Sequence, residues 1–428
     1  MEFFIKLPAL VNVFLAFSLI LIAHRLKIHL SLGFFMGAIM LGLLMGLPPQ
    51  TILAGVIKSI LNSMVLSLIM IVALILVLSQ LMSQSGQLGR IVTSFTHATS
   101  NTRIVTAFMP ALIGLLPMPG GALFSAPMVR AASESSGLDA NLKTTINYWF
   151  RHIWECWWPL YPGVILAVSL LGVQTWRFVL FQAPLTIFAV TAGFFFLLRQ
   201  IPKTRPSDNK GFGTSGSWML FLKEARPIIL VILAIPGVAL FEWIFGVDLL
   251  GVTSVFLGLS LCLLWVIGQN SIPPIQVFRT ALNKSIPSML FLILGIMAFK
   301  GILIESLAVE KIHAELIHYG ISPLIVILVL PFLSGFFTGI AIGFVGASFP
   351  LVVPLLAHCQ GVDYMSHALL AYASGFMGMM LSPVHICLLV TRDYFNASLI
   401  KSYRLLAGPA GLFITLTLLY FGFYQLIG

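Results

Sequence analysis

Charge is scarce in this chain. Asp, Glu, Lys and Arg make up 8% of its 428 residues, hydrophobic residues make up 59%, and the mean hydropathy is +1.05. A soluble globular domain carries about 25% charged residues. That class is excluded, and a polytopic helical membrane protein is indicated. Alternating short strands are lacking too. The apolar runs are continuous and often about twenty residues long, which excludes a strand-built barrel. Cysteine is confined to Cys156, Cys262, Cys359 and Cys387. No pair spacing links them, so they are expected to be small buried hydrophobes that report little on redox compartment. No Walker A sequence is present to support an ATP-driven pump. The N-terminus lacks a basic segment and a small-residue cleavage site, and is expected to be retained as a first span.

What charge there is, net +10, sits in short loops between apolar runs. Membrane topology signals are placed this way, so no nucleic-acid partner is expected. The runs predict spans at 8–23, 30–47, 60–82 and 177–198 in the first half, and at 227–246, 249–268, 285–304 and 404–427 in the second. Other apolar stretches are interrupted. Pro117-Met-Pro-Gly-Gly-Ala-Leu-Phe-Ser-Ala-Pro127 cannot continue a regular helix. Hydrocarbon tolerates irregular backbone only where protein or a water-filled cavity surrounds it. The stretch therefore predicts the tip of a re-entrant hairpin, 103–131, and Ser334 to Pro350 predicts a second tip in a hairpin at 322–359. Two long segments, 141–171 and 364–391, read as broken helices, interrupted at Trp158-Pro159 and at Pro383.

The segment order recurs residue by residue. Ser63-Met64 corresponds to Ser288-Met289, Pro110 and Gly114 to Pro331 and Gly335, Pro127 to Pro350, and Pro159 to Pro383, at offsets between 221 and 225. This predicts an internal duplication, with repeat 1 at 1–198, a polar linker at 199–226 and repeat 2 at 227–428. Hairpin arms of roughly fourteen residues reach about 20 Å, short of a hydrocarbon core of about 30 Å. Half-crossing arms leave five crossings per repeat, and an odd number inverts the second repeat. The expected fold is therefore all-α, with about ten transmembrane helices in two inverted-topology repeats.

Loop charge agrees. With the linker in the cytoplasm, Arg25, Lys27, Arg90, Arg103, Arg130, Lys143, the linker bases, Arg279, Lys284, Arg392, Lys401 and Arg404 fall inside. Only Lys6, Lys58, Arg177, Lys300 and Lys311 fall outside. Both termini come out external, in a multi-pass protein of the cell (inner) membrane.

Opposed tips meeting near the midplane would make a binding site. Helix N-termini favour an anion, and unwound carbonyls can hold a cation. Pro119, Gly120, Gly121, Gly339 and Gly346 would let a ligand approach the backbone, and Ser125, Ser334, Thr338, Ser348 and Ser382 would line the tips and breaks. Small residues also suit close helix packing, and Gly335–Gly339–Gly343 has that spacing. The second candidate is Asn147 to Pro159, in which Arg151, His152 and Glu155 fall inside a span. Ionisable groups there are costly and usually functional. Arg151 and Glu155 are spaced i, i+4 to pair on one helical face, as a structural ion pair or as part of a site. In the functional case Arg151 is the counter-ion of an anionic substrate beside Asn147, and His152, Glu155 and His385 carry protons or ions. Trp149, Trp154, Trp157 and Trp158 fit packing or an interfacial belt. Gly213-Thr-Ser-Gly216 lies in the hydrophilic linker and carries no protease reading. The Asn396-Ala-Ser398 acceptor falls inside the cell. His152-x-x-Glu155 is not a zinc motif. No catalytic residue, metal ligand or cofactor is read.

The Pro117–Pro127 tip, the duplicated layout and the ten spans resemble a family of prokaryotic integral-membrane proteins, domain of unknown function 401, over nearly the whole chain. The architecture is more distantly similar to the ion transporter superfamily of citrate, gluconate, lactate and divalent-anion permeases. That resemblance implies substrate and coupling ions at the tips 117–127 and 334–350 and at the breaks around Pro159 and Pro383. The Ser-Asn-Thr signature of sodium-coupled divalent-anion carriers is absent from both tips. The expected function is a secondary active transporter, not an enzyme. It would carry a small organic anion, a carboxylate, coupled to protons or, second, to sodium, by alternating access of elevator type. Hairpins and broken helices would move against a scaffold that could form a homodimer. A channel is the first alternative and would need a continuous polar stripe. An intramembrane enzyme is the second and would need a nucleophile–base pair or a metal set.

Overall fold

The computed structural model describes residues 7–98, 101–118, 121–134, 137–202, 215–245, 251–356 and 361–427, and every regular element among them is helical. Four of the described helices are long and apolar enough to cross a membrane: Ser63–Gln84, Thr175–Gln200, Ser285–Glu305 and Leu399–Ile427. Shorter apolar helices accompany them, among them Ala9–Arg25, Leu30–Leu44 and Val255–Gln269. Their outward faces carry large apolar side chains; Ile187, Leu261, Leu264 and Leu419 are each 65–66% exposed. Such a surface suits hydrocarbon and not water.

The interrupted stretches fold as short helices. Thr102–Gly114 and Ala122–Ser133 form one antiparallel pair, and Pro323–Thr338 and Ala341–Leu355 another. The 12 to 16 residues of these arms correspond to about 18–24 Å. The segment after the first pair runs Ala140–Arg151, leaves the helix over 152–161, and resumes at Pro162–Leu171. Its later counterpart runs Gly361–Met380, leaves the helix over 381–385, and resumes at Ile386–Phe395.

The first break is wider than the sequence predicts, starting at His152 and not at Trp158. Pro159 has no N–H for the Glu155 carbonyl, and its ring crowds that carbonyl. The helix therefore stops before the turn that the proline would distort. Four short helices also escape a search for spans: Pro49–Ile60, Gln87–Ala98, Pro274–Ala281 and Ala308–His318. They have 8 to 12 residues and an apolar stripe on one side only. The predicted linker 199–226 holds a helix, Ser215–Glu224. Its residues 203–214 lie outside the described residues, as do 357–359 of the second predicted hairpin and Cys359.

The two halves of the chain interlock. Ser285–Glu305 packs on Leu30–Leu44, and Gly251–Gln269 packs on Ser63–Gln84. Pro162–Leu171 packs on Ala341–Leu355, and Ile386–Phe395 packs on Ala122–Ser133. Hydrogen bonds cross between the halves at the breaks. The Tyr372 hydroxyl donates to the Glu155 carbonyl at 2.9 Å, the carbonyl that Pro159 leaves without a helical donor. The Tyr148 hydroxyl donates to the Met380 carbonyl at 3.0 Å. That carbonyl loses its helical donor because the Val384 N–H turns to the Ser382 hydroxyl. The four indoles of the first break are hydrogen-bonded within the protein. Trp154 donates to Ala111 O and Trp158 to Leu115 O, at the end of a hairpin arm, while Trp149 donates to Ala189 O and Trp157 to Thr186 Oγ1.

Close backbone approach seats each first arm on its broken helix. A Cβ on Gly335 would strike the Gly375 carbonyl, and one on Gly114 would strike the Arg151 carbonyl. Gly335→Ala is expected to cost roughly 1–3 kcal/mol through overpacking against backbone. Gly411→Ala, with nothing near its Cβ, is expected to be neutral or to gain up to about 1 kcal/mol of helix propensity. Apparent melting temperatures in detergent compare the two, and equal values would remove the close-approach account. Tyr148→Phe and Tyr372→Phe are each expected to lower the melting temperature by the equivalent of about 1–3 kcal/mol, because each orphans a buried carbonyl. A wild-type melt for both would show that other donors satisfy those carbonyls.

Candidate functional site

The breaks bring together five polar side chains. Ala140–Arg151 carries the first of them and is started by Asp139, whose carboxylate accepts the Asn141 N–H at 2.9 Å. Burial pulls the Asp139 carboxyl up, but hydrogen bonds from Asn141 outweigh it and hold the group below the usual carboxylate range. At its other end the helix stops at Arg151, so His152, Glu155 and Cys156 sit on turns. This overturns the expected i, i+4 pairing of Arg151 with Glu155. The helical face that would align them ends at Arg151, and no ion pair within 4 Å joins them among the described residues. Glu155 lies instead 3.8 Å from His152, Oε1 to Nε2.

Arg151 reaches under the first hairpin tip. Its Nη2 donates to the Met118 carbonyl at 3.0 Å, and a Cβ on Gly121 would collide with the guanidinium. The residue is 2% exposed, and its Nε and Nη1 have no hydrogen-bond partner. The Cys387 thiol stands beside it. Pro119 and Gly120, the tip itself, lie outside the described residues.

His152 and His385 meet edge to face, with Nε2 to Nε2 at 3.1 Å and an interplanar angle of 88°. The His152 Nδ1 faces the Tyr148 carbonyl at 2.6 Å. A carbonyl only accepts, so this nitrogen carries the ring hydrogen. His385 is held by the second tip. Gly339, at φ +64° and closing Pro323–Thr338, packs its Cα on the His385 backbone; a side chain there would be strained as well as crowded. Cys387 is within hydrogen-bonding reach of His152. The ligand atoms of His152, His385 and Cys387 all lie within 4.8 Å of one another, so this trio could hold a metal ion.

The other predicted residues are spread more widely. Asn147 donates to Thr391 Oγ1 at 3.1 Å and leaves its own Oδ1 buried without a partner. The hydroxyls of Ser125, Ser334, Thr338 and Ser348 donate to carbonyls of their own helices, at Ala122, Leu330, Ser334 and Phe344. Ser382 donates to Phe336 O and accepts from Val384 N. Gly346 is inside Ala341–Leu355, away from the tip, and its Cα faces Ile296 of Ser285–Glu305. At Gly346 the close-packing alternative describes the contact.

Cys387 is the member that the sequence does not single out, since it reads there as one more buried hydrophobe. Cys156 and Cys262 are buried, whereas Cys387 is partly exposed. The available signal was its place two residues after His385, at a proline-marked break. Tyr148, Tyr372 and Thr391 carried no sequence signal. A search of the curated proteins finds no match to this chain. Residues 9–424 match the family described as Protein of unknown function (DUF401), and the chain belongs to that family.

Proposed function

We propose that the protein is an ion-coupled secondary transporter of a small organic anion, a carboxylate, in the cell membrane. The observation that carries this is the Arg151 guanidinium: buried, donating to one carbonyl, beside the Cys387 thiol, and with no carboxylate within 4 Å among the described residues. Buried charges are ordinarily paired because desolvation is costly. An unpaired one beneath a helical tip is suited to an anion that arrives and leaves. Helix N-termini add to the field. Gly163, at the start of Pro162–Leu171, touches Ala341 and the Ile342 N–H, at the start of Ala341–Leu355. Two positive helix ends therefore converge.

The matching contacts of the two halves support an inverted duplication. Tyr148 and Tyr372, 224 positions apart, each cap the break of the other half. Trp158 and Ser382, also 224 apart, each bond the end of their own hairpin's first arm, at Leu115 and Phe336. Arms of 12 to 16 residues favour re-entrant hairpins over full crossings. Hairpins and broken helices would then move as a unit against a scaffold built on Ser63–Gln84 and Ser285–Glu305, in alternating access of elevator type. The loop charges favour external termini and a cytoplasmic linker, and His152, Glu155 and His385 stand as the coupling groups.

The test is thermal stability of the purified protein against a panel of small carboxylates. One carboxylate is expected to raise the apparent melting temperature, by the equivalent of about 2.7 kcal/mol at a hundredfold excess over its Kd. Arg151→Ala should abolish the shift, and Arg151→Lys should keep only part of it, because an ammonium lacks the planar fork. A shift that survives Arg151→Ala, or none with any carboxylate, would sink the proposal.

A further inference from the structure

We infer that His152, His385 and Cys387 form a binding site for a late first-row divalent cation, of which zinc is the type. The site would clamp the helix breaks of both halves together. It shares His152 and His385 with the coupling groups proposed above, but it does not rest on the anion site at Arg151.

The spacing fits a shared ion. Zn–N bonds of about 2.0–2.1 Å in a tetrahedral site place two imidazole nitrogens about 3.3 Å apart, and the two Nε2 atoms are already 3.1 Å apart. One ligand atom from each of the three residues lies within 4.8 Å of the other two, so about an ångström of side-chain movement completes the set. The tautomer fits as well. With its hydrogen on Nδ1 and given to the Tyr148 carbonyl, His152 turns the Nε2 lone pair towards His385 and Cys387. Ligating histidines are oriented in this way, by a backbone carbonyl on the second nitrogen.

Without an ion the two rings share one hydrogen bond. Two Nε2 lone pairs cannot face each other at this distance, so without an ion His385 must carry its hydrogen on Nε2. Its Nδ1 is then a buried acceptor, and it has no partner. A cation between the two Nε2 atoms would take both lone pairs, with the His385 hydrogen moved to Nδ1. The donors select the ion. Two imidazoles and a thiol suit zinc, cobalt, nickel or copper, and not sodium, magnesium or calcium. Glu155 lies 3.8 Å from His152 and outside the trio. None of these residues is more than 235 positions from another in sequence, yet the pairing depends wholly on the two breaks meeting.

The experiment is a titration of the metal-free full-length protein in detergent with Co²⁺, followed by displacement with Zn²⁺. About one Co²⁺ per chain is expected, with a thiolate-to-cobalt charge-transfer band that Zn²⁺ abolishes and excess Mg²⁺ or Ca²⁺ does not. Cys387→Ser, nearly isosteric, should remove the band, and Cys262→Ala should keep it. His152→Ala and His385→Ala should each weaken Co²⁺ binding about tenfold or more. Where a histidine variant does not fold, the Cys387→Ser comparison decides. A band that persists in Cys387→Ser, or no stoichiometric Co²⁺ binding by the wild type, overturns the site. Metal binding without any carboxylate response would leave this site standing and remove the transporter proposal; the opposite result would do the reverse.

Discussion

Backbone that leaves the helix within an apolar layer must find its hydrogen bonds inside the protein, because nothing in hydrocarbon can supply them. Pro159, and the Val384 N–H turned onto the Ser382 hydroxyl, impose that need on this chain. The Tyr372 hydroxyl answers it at Glu155, and the Tyr148 hydroxyl answers it at Met380. Each donor comes from the opposite half of the sequence. The close passages at Gly114 and Gly335 then seat each first hairpin arm on the broken helix beside it. The rest of the arrangement, including which helices touch across the halves, follows from keeping these two breaks opposed.

The same demand sorts the polar groups. Most hydroxyls of the tips are consumed locally, by carbonyls one turn back, as Ser and Thr side chains do in helices without competing partners. The indoles are consumed as well. Arg151, Asn147 and His385 hold unpartnered buried atoms, as do Asn12, Ser169, Gln182, Ser402 and Tyr403. Leaving such atoms unpaired costs about 1–3 kcal/mol each, and more for a charge. Arg151 is the one charged group among them, and it carries two of those atoms.

The long apolar runs and the proline-glycine stretches were legible in the sequence because hydropathy and backbone chemistry are local. Ser63–Gln84 and Ser285–Glu305 differ from the expected spans by only a few residues at either end. Gln87–Ala98 and Ala308–His318 were not legible as elements, because a one-sided apolar stripe of three turns resembles a loop in a search for spans. The first break was located but its width was not. The helix stops at Arg151, one turn before the carbonyl that Pro159 crowds. Arg151, His152, Glu155 and His385 stood out as ionisable groups at membrane depth. Their partners did not. The Arg151–Glu155 pair assumed a helix that stops at Arg151, and the contact between His152 and His385 spans 233 positions. Cys387 gains its meaning only from that contact.

The crossing tyrosine bond also sets a schedule for synthesis. The Glu155 carbonyl waits for a hydroxyl 217 residues further along the chain. At about 5–20 residues per second, that interval is roughly 10–40 s. For that time the first half holds an open break with no internal donor, so it must stay beside water or beside the insertion machinery until its complement emerges. Completion of the fold is thereby tied to translation of the last quarter of the message, and a chain truncated before Tyr372 carries a carbonyl at Glu155 without this donor.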